Sequence, residues 1–516
     1  LICISQQIRN GVLTIQRLSA TIPTTMSKKS DSSRMRLSIL LAATLLLASA
    51  LLTREAELRL ALPLLVGVTA TMTMILACAL YFGERNRIAW SAPVILTVAL
   101  LLRLMFLFHP PQLSDDIYRY LWDGSNLLRG NNPYAAAPAA IHPPHALAAV
   151  HPRINHPEFV TIYPPAAQAI FAGGAALGGT ISGLKTFLML LDMGLCALLV
   201  MLLRRLGMPV WRAALYAWNP LPVLEIAGSG HVDGAGLAML IGAICLLVIH
   251  VPLSQNPIPT PALPLKGRER KRLLPLQGGG WEGDGGMGRW PFLLSGALLA
   301  AAGLVKLFPF VLAPLLFLLV PAGRRRYFSA GFVASLALLI VPFLPQLANM
   351  FTTLDSYARN WEFAGFAFTV LRSLTGSGTA ARLILSAAFL LAGAVILIRC
   401  ATAIRRSASP ANSVHQALQG CYAIAMALLL LTPTLQPWYA LCLAVFLPFC
   451  AGPAGLLLCW VPFLTYRVQI PYFILGQWIE SPWVTAAVFL APVTTWLLCK
   501  LIGGCSHSSG ACNVAE

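Results

Sequence analysis

Ser114-Asp115-Asp116-Ile117-Tyr118-Arg119-Tyr120-Leu121-Trp122-Asp123-Gly124 decides how this chain is read. The stretch lies at the start of the longest polar segment of the first half, 109–185, and sets three carboxylates within nine residues. On either side the chain is apolar over lengths that match a helix crossing a bilayer. Ionised side chains are costly in hydrocarbon, so this segment belongs in water or in a lined cavity. The rest of the chain is then a frame of apolar helices around it.

Composition agrees. Of 516 residues, 58% are hydrophobic and 10% charged, where a soluble domain carries about a quarter charged residues. Period-2 alternation is absent, which excludes a β-barrel. The expected fold is all-α, a polytopic membrane helix bundle of about 14 transmembrane helices. The runs 37–53, 60–82 and 89–108 precede the acidic loop, and 211–228, 307–321, 438–450 and 453–467 are among those that follow. The net charge of +18 reads as cytoplasmic loops and not as a nucleic-acid surface. Twelve cysteines are scattered without a CxxC pair and read as small core residues.

Lys and Arg set the orientation. With the N-terminus in the cytoplasm, Arg85/Arg87, Arg204/Arg205/Arg212, Lys266 to Arg272, Arg324/Arg325/Arg326 and Arg399/Arg405/Arg406 all fall inside. The segments 109–185, 229–233, 345–378, 434–437 and 468–482 then lie outside. This gives a cytoplasmic tail 1–36, a transmembrane domain 37–502 and a cytoplasmic tail 503–516 in the cytoplasmic (inner) membrane. Met26, followed by Lys28 and Lys29, reads as a better start than Leu1, which leaves 1–25 as an upstream or disordered extension. Residues 165–182 are apolar enough to span, but a span there would reverse Arg204 and Arg205. A surface or re-entrant helix begun by Pro164-Pro165 is expected instead. Residues 254–290, rich in Pro, Gly and charge with LPLKG and LPLQG as near-repeats, read as a disordered cytoplasmic insertion.

On a helix through 114–124, Asp115, Arg119 and Trp122 share one face and Asp116, Tyr120 and Asp123 the next. Asp115 and Arg119 are expected to pair, keeping Asp115 ionised. Tyr120, Trp122 and Tyr163 offer rings to stack on a sugar. Five of the nine histidines lie between 109 and 156, each beside a proline. Their spacing fits no tight metal motif and points to rigid turns. Trp218-Asn219-Pro220 and Glu225 precede Gly228-Ser229-Gly230-His231-Val232-Asp233, which brings His231 and Asp233 to the face of Asp115. Lys306 reaches that face too, either snorkelling to water or binding a phosphate. Trp438 and Tyr439 belong to the outer aromatic boundary. Asp192 and Glu225, inside apolar runs, each need a partner or a cavity.

The strings SDDIYRYLWDG, NPY, YPPAAQ, WNPLPVLEIAGSGHVD, GLVKLFPF and QPWY, in this order over 89–480, resemble the GT-C superfamily of polytopic glycosyltransferases. Within it they look like the bacterial polyprenol-phosphomannose-dependent α-mannosyltransferases. The resemblance implies transfer of a hexose, with mannose favoured, from a polyprenyl-phosphate donor to a glycan or glycolipid acceptor at the outer membrane face, with inversion. It implies Asp115 as base. It leaves Asp116 to orient the acceptor or to hold a divalent metal ion, the one cofactor in view. Lys306, His231 and Arg119 are the candidates to neutralise the leaving phosphate. A secondary transporter or lipid-linked sugar flippase is the competing reading. It predicts internal repeats and acids gathered at mid-span, whereas no internal repeat is found and the acids gather in the polar loop.

Overall fold

Apolar sequence without alternation closes into helices wherever proline permits. The computed structural model describes residues 24–249, 288–407 and 409–501. Of the expected insertion 254–290, residues 254–287 lie outside these residues, and so do the segments 1–23 and 503–516; its last residue, Trp290, instead begins a helix. Three helices come first, α1 (Thr24–Leu52), α2 (Leu62–Glu84) and α3 (Ala92–Leu107). The polar loop carries α4 (Asp116–Leu128) and α5 (Pro165–Ala175). Then follow α6 (Ile181–Arg205), α7 (Asp233–Ile249), α8 (Trp290–Gly303), α9 (Phe308–Phe317) and α10 (Arg325–Ile340). The last third holds α11 (Leu347–Asn360), α12 (Phe366–Thr375), α13 (Gly378–Arg406), α14 (Pro410–Leu431), α15 (Pro453–Trp460), α16 (Gln469–Leu475) and α17 (Pro482–Leu501). No strand is present among the described residues. The fold is an all-α polytopic bundle, as expected.

Seven helical stretches among the described residues are long and apolar enough to cross a membrane, and five shorter apolar helices of 10–17 residues join them. Several runs read as spans are shortened or interrupted in the structure, and each carries or adjoins proline, which lacks the N–H that continues a helix. The run 211–228 becomes short turns around Pro220 and Pro222 and then a π-helix, Val223–Gly228. Pro314 lies inside the ten-residue α9. A 3-10 turn begins at Pro437, and another with Pro462 near its start follows α15. Helix α5 starts on Pro165, where the missing N–H is harmless. Its 11 residues rise only about 16 Å, too little to span.

Two buried polar arrangements pin the bundle around the polar loop. Asp192 on α6 finds its partners in Arg103, whose Nε lies 2.5 Å away, and in the Tyr216 hydroxyl, which donates over 2.6 Å. Arg103 also donates to the carbonyls of Ala99 and Ala217. This pair is fully buried and well satisfied, the condition under which an internal ion pair is tolerated. Lys185 donates from Nζ to the carbonyls of Phe106 (2.7 Å) and His109 (2.6 Å), which fastens α6 to the end of α3.

Within the loop, α4 packs on α5. The Tyr120 ring stacks on Phe171 at 4.3 Å. Gly124 lies so close to α5 that a Cβ would stand 2.3 Å from the Phe171 backbone. Gly124→Ala is therefore expected to destabilise the protein by about 1 to 3 kcal/mol, the usual range for overpacking. Thermal unfolding in detergent, with Gly67→Ala as a control in open space, checks this. Unchanged stability would mean that the two helices part easily.

Candidate active site

The two adjacent acids part company at the start of α4. Asp115 is the residue before the helix and Asp116 its first member, so their carboxylates reach different neighbours. The expected Asp115–Arg119 pair does not form. Arg119 turns the other way, to Asp123 at 3.0 Å and the Phe159 carbonyl at 3.0 Å, because both Arg119 and Asp123 are buried and each needs the other. Asp115 meets Arg59 instead, with Nη2 to Oδ1 at 3.3 Å. Arg59 comes from the short turn between α1 and α2. It is held there by the Gln112 carbonyl, while Gln112 bonds Leu58 N and the Ala56 carbonyl. Burial pushes the Asp115 carboxyl above the usual range. Arg59 works against that shift and the charge of Asp116 adds to it. The Asp115 side chain nevertheless keeps 41% of its surface exposed.

Asp116 sits deeper and is gripped. Asn155 donates to Oδ1 at 2.9 Å and the Tyr163 hydroxyl to Oδ2 at 3.1 Å. His231 brings Nδ1 to 3.8 Å from Oδ2. Its position follows from Gly230, whose φ of +80° favours glycine and whose Cα faces Ile117 of α4. The His231 ring stacks on Trp438 at 4.0 Å. Burial pushes its imidazole down to about 3, outweighing the pull of Asp116, so the ring is neutral. Behind it Glu225, on the π-helix, accepts from the Tyr466 hydroxyl at 2.8 Å. That supplies the partner that a carboxyl in an apolar run requires.

Beyond Tyr163 stands Lys306. Its Nζ is 3.5 Å from Asp233 Oδ2 and lies over the rings of Tyr163 (5.5 Å) and Tyr439 (5.7 Å). The Tyr439 hydroxyl meets that of Tyr357 at 2.5 Å, which ties α11 to the same wall. The arrangement thus runs Asp115, Asp116, Tyr163, Lys306. It joins the polar loop, the segment before α7, the turn after α8 and the turn at Pro437.

Asp115, Asp116, Tyr163, His231, Asp233, Lys306, Trp438 and Tyr439 come together. Arg119, Trp122 and Asp123 do not open onto this space. Trp122 is 2% exposed and packs against His151. Asp123 is occupied by Arg119 and Gln168. Tyr120 is buried between α4 and α5, with its ring edge-on to Tyr163. The histidines 145 and 151 begin short 3-10 turns, and the His151 ring bonds the Pro138 carbonyl. Among the described residues no group of three or more His, Cys, Asp or Glu side chains is placed to hold a metal ion. Sequence reasoning missed Arg59, Asn155 and Tyr466. Arg59 left a signal, as a cation in a short turn that the orientation puts outside. Asn155 and Tyr466 left none.

The described residues form a bundle of apolar helices with an acid- and aromatic-rich cluster at the ends of several of them, and the family match makes it a glycosyltransferase. The chain belongs to the alpha-(1->6)-mannopyranosyltransferase family, whose N-terminal-domain profile matches residues 35–322. The match takes in Asp115, Asp116, Tyr163, His231, Asp233 and Lys306, all of α2 and α1 from residue 35 onward. No curated protein matches the chain.

Proposed function

We propose that this mannosyltransferase moves mannose from a polyprenyl-phosphate donor to a glycan or glycolipid acceptor at the outer face of the cytoplasmic membrane, in one inverting step that leaves an α-(1→6) bond. The observation that carries the reading is the line from Asp115 to Lys306, with an exposed carboxylate at one end, a cation at the other and Asp116 between them. Asp115 takes the proton of the acceptor hydroxyl, whose oxygen forms the bond to the anomeric carbon. The bond from that carbon to the phosphate oxygen breaks, and its electron pair leaves with the lipid phosphate. Lys306 neutralises the charge that gathers there. Asp116, fixed by Asn155 and Tyr163, faces the positive charge of the oxocarbenium-like transition state.

The exposure of Asp115 suits an acceptor arriving from water. Lys306 lies where an apolar helix ends, which suits the head of a lipid. The membrane face rests on charge. Helix α3 runs from Arg85 and Arg87 to the polar loop, α6 from that loop to Arg204 and Arg205, and α13 from Arg382 to Arg405 and Arg406. The site is thus at the ends away from the clustered cations. Cysteine labelling of intact cells at positions 140 and 325 tests this, with 140 reactive and 325 shielded.

The donor is tested with purified protein and two mannose donors side by side, a polyprenyl phosphate and a nucleotide diphosphate. Transfer from the lipid donor alone is expected. Transfer from the nucleotide donor alone would overturn the reading, and movement of uncleaved lipid donor across sealed vesicles would favour a flippase.

A further inference from the structure

His231 and Glu225 are built into the site in a way that the transfer step leaves unexplained. His231 is 1% exposed and Glu225 is fully buried. Both ring nitrogens of His231 and Oε2 of Glu225 lack a hydrogen-bond partner. Leaving such atoms unpaired inside a protein is costly. They nevertheless face one another in a row, with Glu225 Oε2 3.5 Å from His231 Nε2 and His231 Nδ1 3.8 Å from Asp116 Oδ2. The ring cannot slide away. Trp438 covers one face, and Gly230 fixes the backbone against Ile117. Glu225 is presented by a π-helix, a distortion that recurs at functional sites.

A neutral imidazole has one donor and one acceptor, so the row can be satisfied in only two senses. Among the described residues no Lys or Arg is paired with Glu225. Of the two senses, the one in which Glu225 donates to Nε2 leaves the ring proton on Nδ1, toward Asp116.

Building on the transferase reading above, we propose that His231 and Glu225 are a positioning pair for Asp116. Protonated Glu225 donates to Nε2, and Nδ1–H donates to Asp116 Oδ2 as the distances close around bound substrate. The pair adds a third donor to a carboxylate already held by Asn155 and Tyr163. It does so without a net charge, so no cation cancels the field of Asp116 at the reacting carbon. The other ionisable groups facing this row are Asp115, Asp233, Lys306 and the phenols of Tyr120, Tyr163, Tyr357 and Tyr466.

The test compares His231→Phe, Glu225→Gln and Glu225→Leu with the wild type. Phenylalanine keeps a ring against Trp438 and removes both nitrogens. His231→Phe is expected to lower kcat about 10- to 100-fold, the range for a hydrogen bond to a charged group, with donor KM unchanged. Glu225→Gln, which still donates to Nε2, should keep most of kcat, and Glu225→Leu should behave like His231→Phe. A second readout needs no turnover. The infrared carboxylate stretch of Asp116, identified by its loss in Asp116→Asn, should shift in frequency in His231→Phe relative to the wild type at one fixed pH, because a hydrogen-bond donor to it is lost. If the donor reading alone is wrong, that band still moves. Native kcat in folded His231→Phe, an unmoved band, or equal loss in Glu225→Gln and Glu225→Leu would overturn the proposal.

Discussion

Asp115→Asn is expected to lose about 10² to 10⁴ of the transfer rate, the usual contribution of a general base, while the protein still inserts and folds. The amide keeps the shape of the acid and can still face Arg59, but it takes no proton at neutral pH. Donor KM should change little, because Asp115 stands at the far end of the row from Lys306. The pH profile carries a second mark of the same residue. The Asp115 carboxyl is held above its ordinary range by burial, with Arg59 opposing. Since the base works only when ionised, kcat/KM should rise with pH through that elevated value, and activity should fall away at a higher pH than for an ordinary aspartate. Arg59→Met removes the opposing cation and should move this limb further up. Rates of Asp115→Asn, Asp116→Asn and Asp123→Asn, measured together, separate the roles. Asp116→Asn should also be severely impaired, and Asp123→Asn should lose stability more than turnover. Near-native turnover of Asp115→Asn with loss in Asp116→Asn would exchange the roles of the two acids.

The second large effect belongs to Lys306. Removing a charge-assisted hydrogen bond to the leaving phosphate costs about 1.5–3 kcal/mol, or roughly one to two orders of magnitude in kcat/KM. Lys306→Ala is expected to show this loss. Lys306→Arg should recover part of it, because the cation returns with a different shape. The resting partner of Lys306 is Asp233, and Asp233→Asn frees the cation. Donor affinity in that variant should be equal to or better than that of the wild type. Unchanged kinetics in Lys306→Ala would make the lysine a snorkelling group that only meets water at the helix end.

Much of this was legible from residue type alone. The bundle followed from apolar runs without alternation, and the site from acids that hydrocarbon cannot hold. His231, Asp233 and Lys306 could be placed beside Asp115 because a helix fixes which end of a span each residue occupies. Two kinds of information were not local. The first is the choice of partner. Helical spacing allowed Arg119 to meet either Asp115 or Asp123, and burial of Arg119 and Asp123 together decided it, with Arg59 arriving from 56 residues away in sequence. The second is helix continuity. Pro220 and Pro222 sit in a run apolar enough to span, and only the packed structure shows that the chain answers with a π-helix that aims Glu225 at His231. Trp122 illustrates a related limit, since an aromatic ring beside acids reads as a sugar platform, while in the fold it is core.

The central claim is a single displacement between Asp115 and Lys306, and the most direct measurement of it is the stereochemistry of the product. Purified protein is given polyprenyl-phosphate mannose of β configuration and a mannoside acceptor, and the new linkage is read by NMR. An α-linked product, absent with Asp115→Asn, is the predicted result. A β-linked product would require two displacements through a covalent intermediate and would contradict the account.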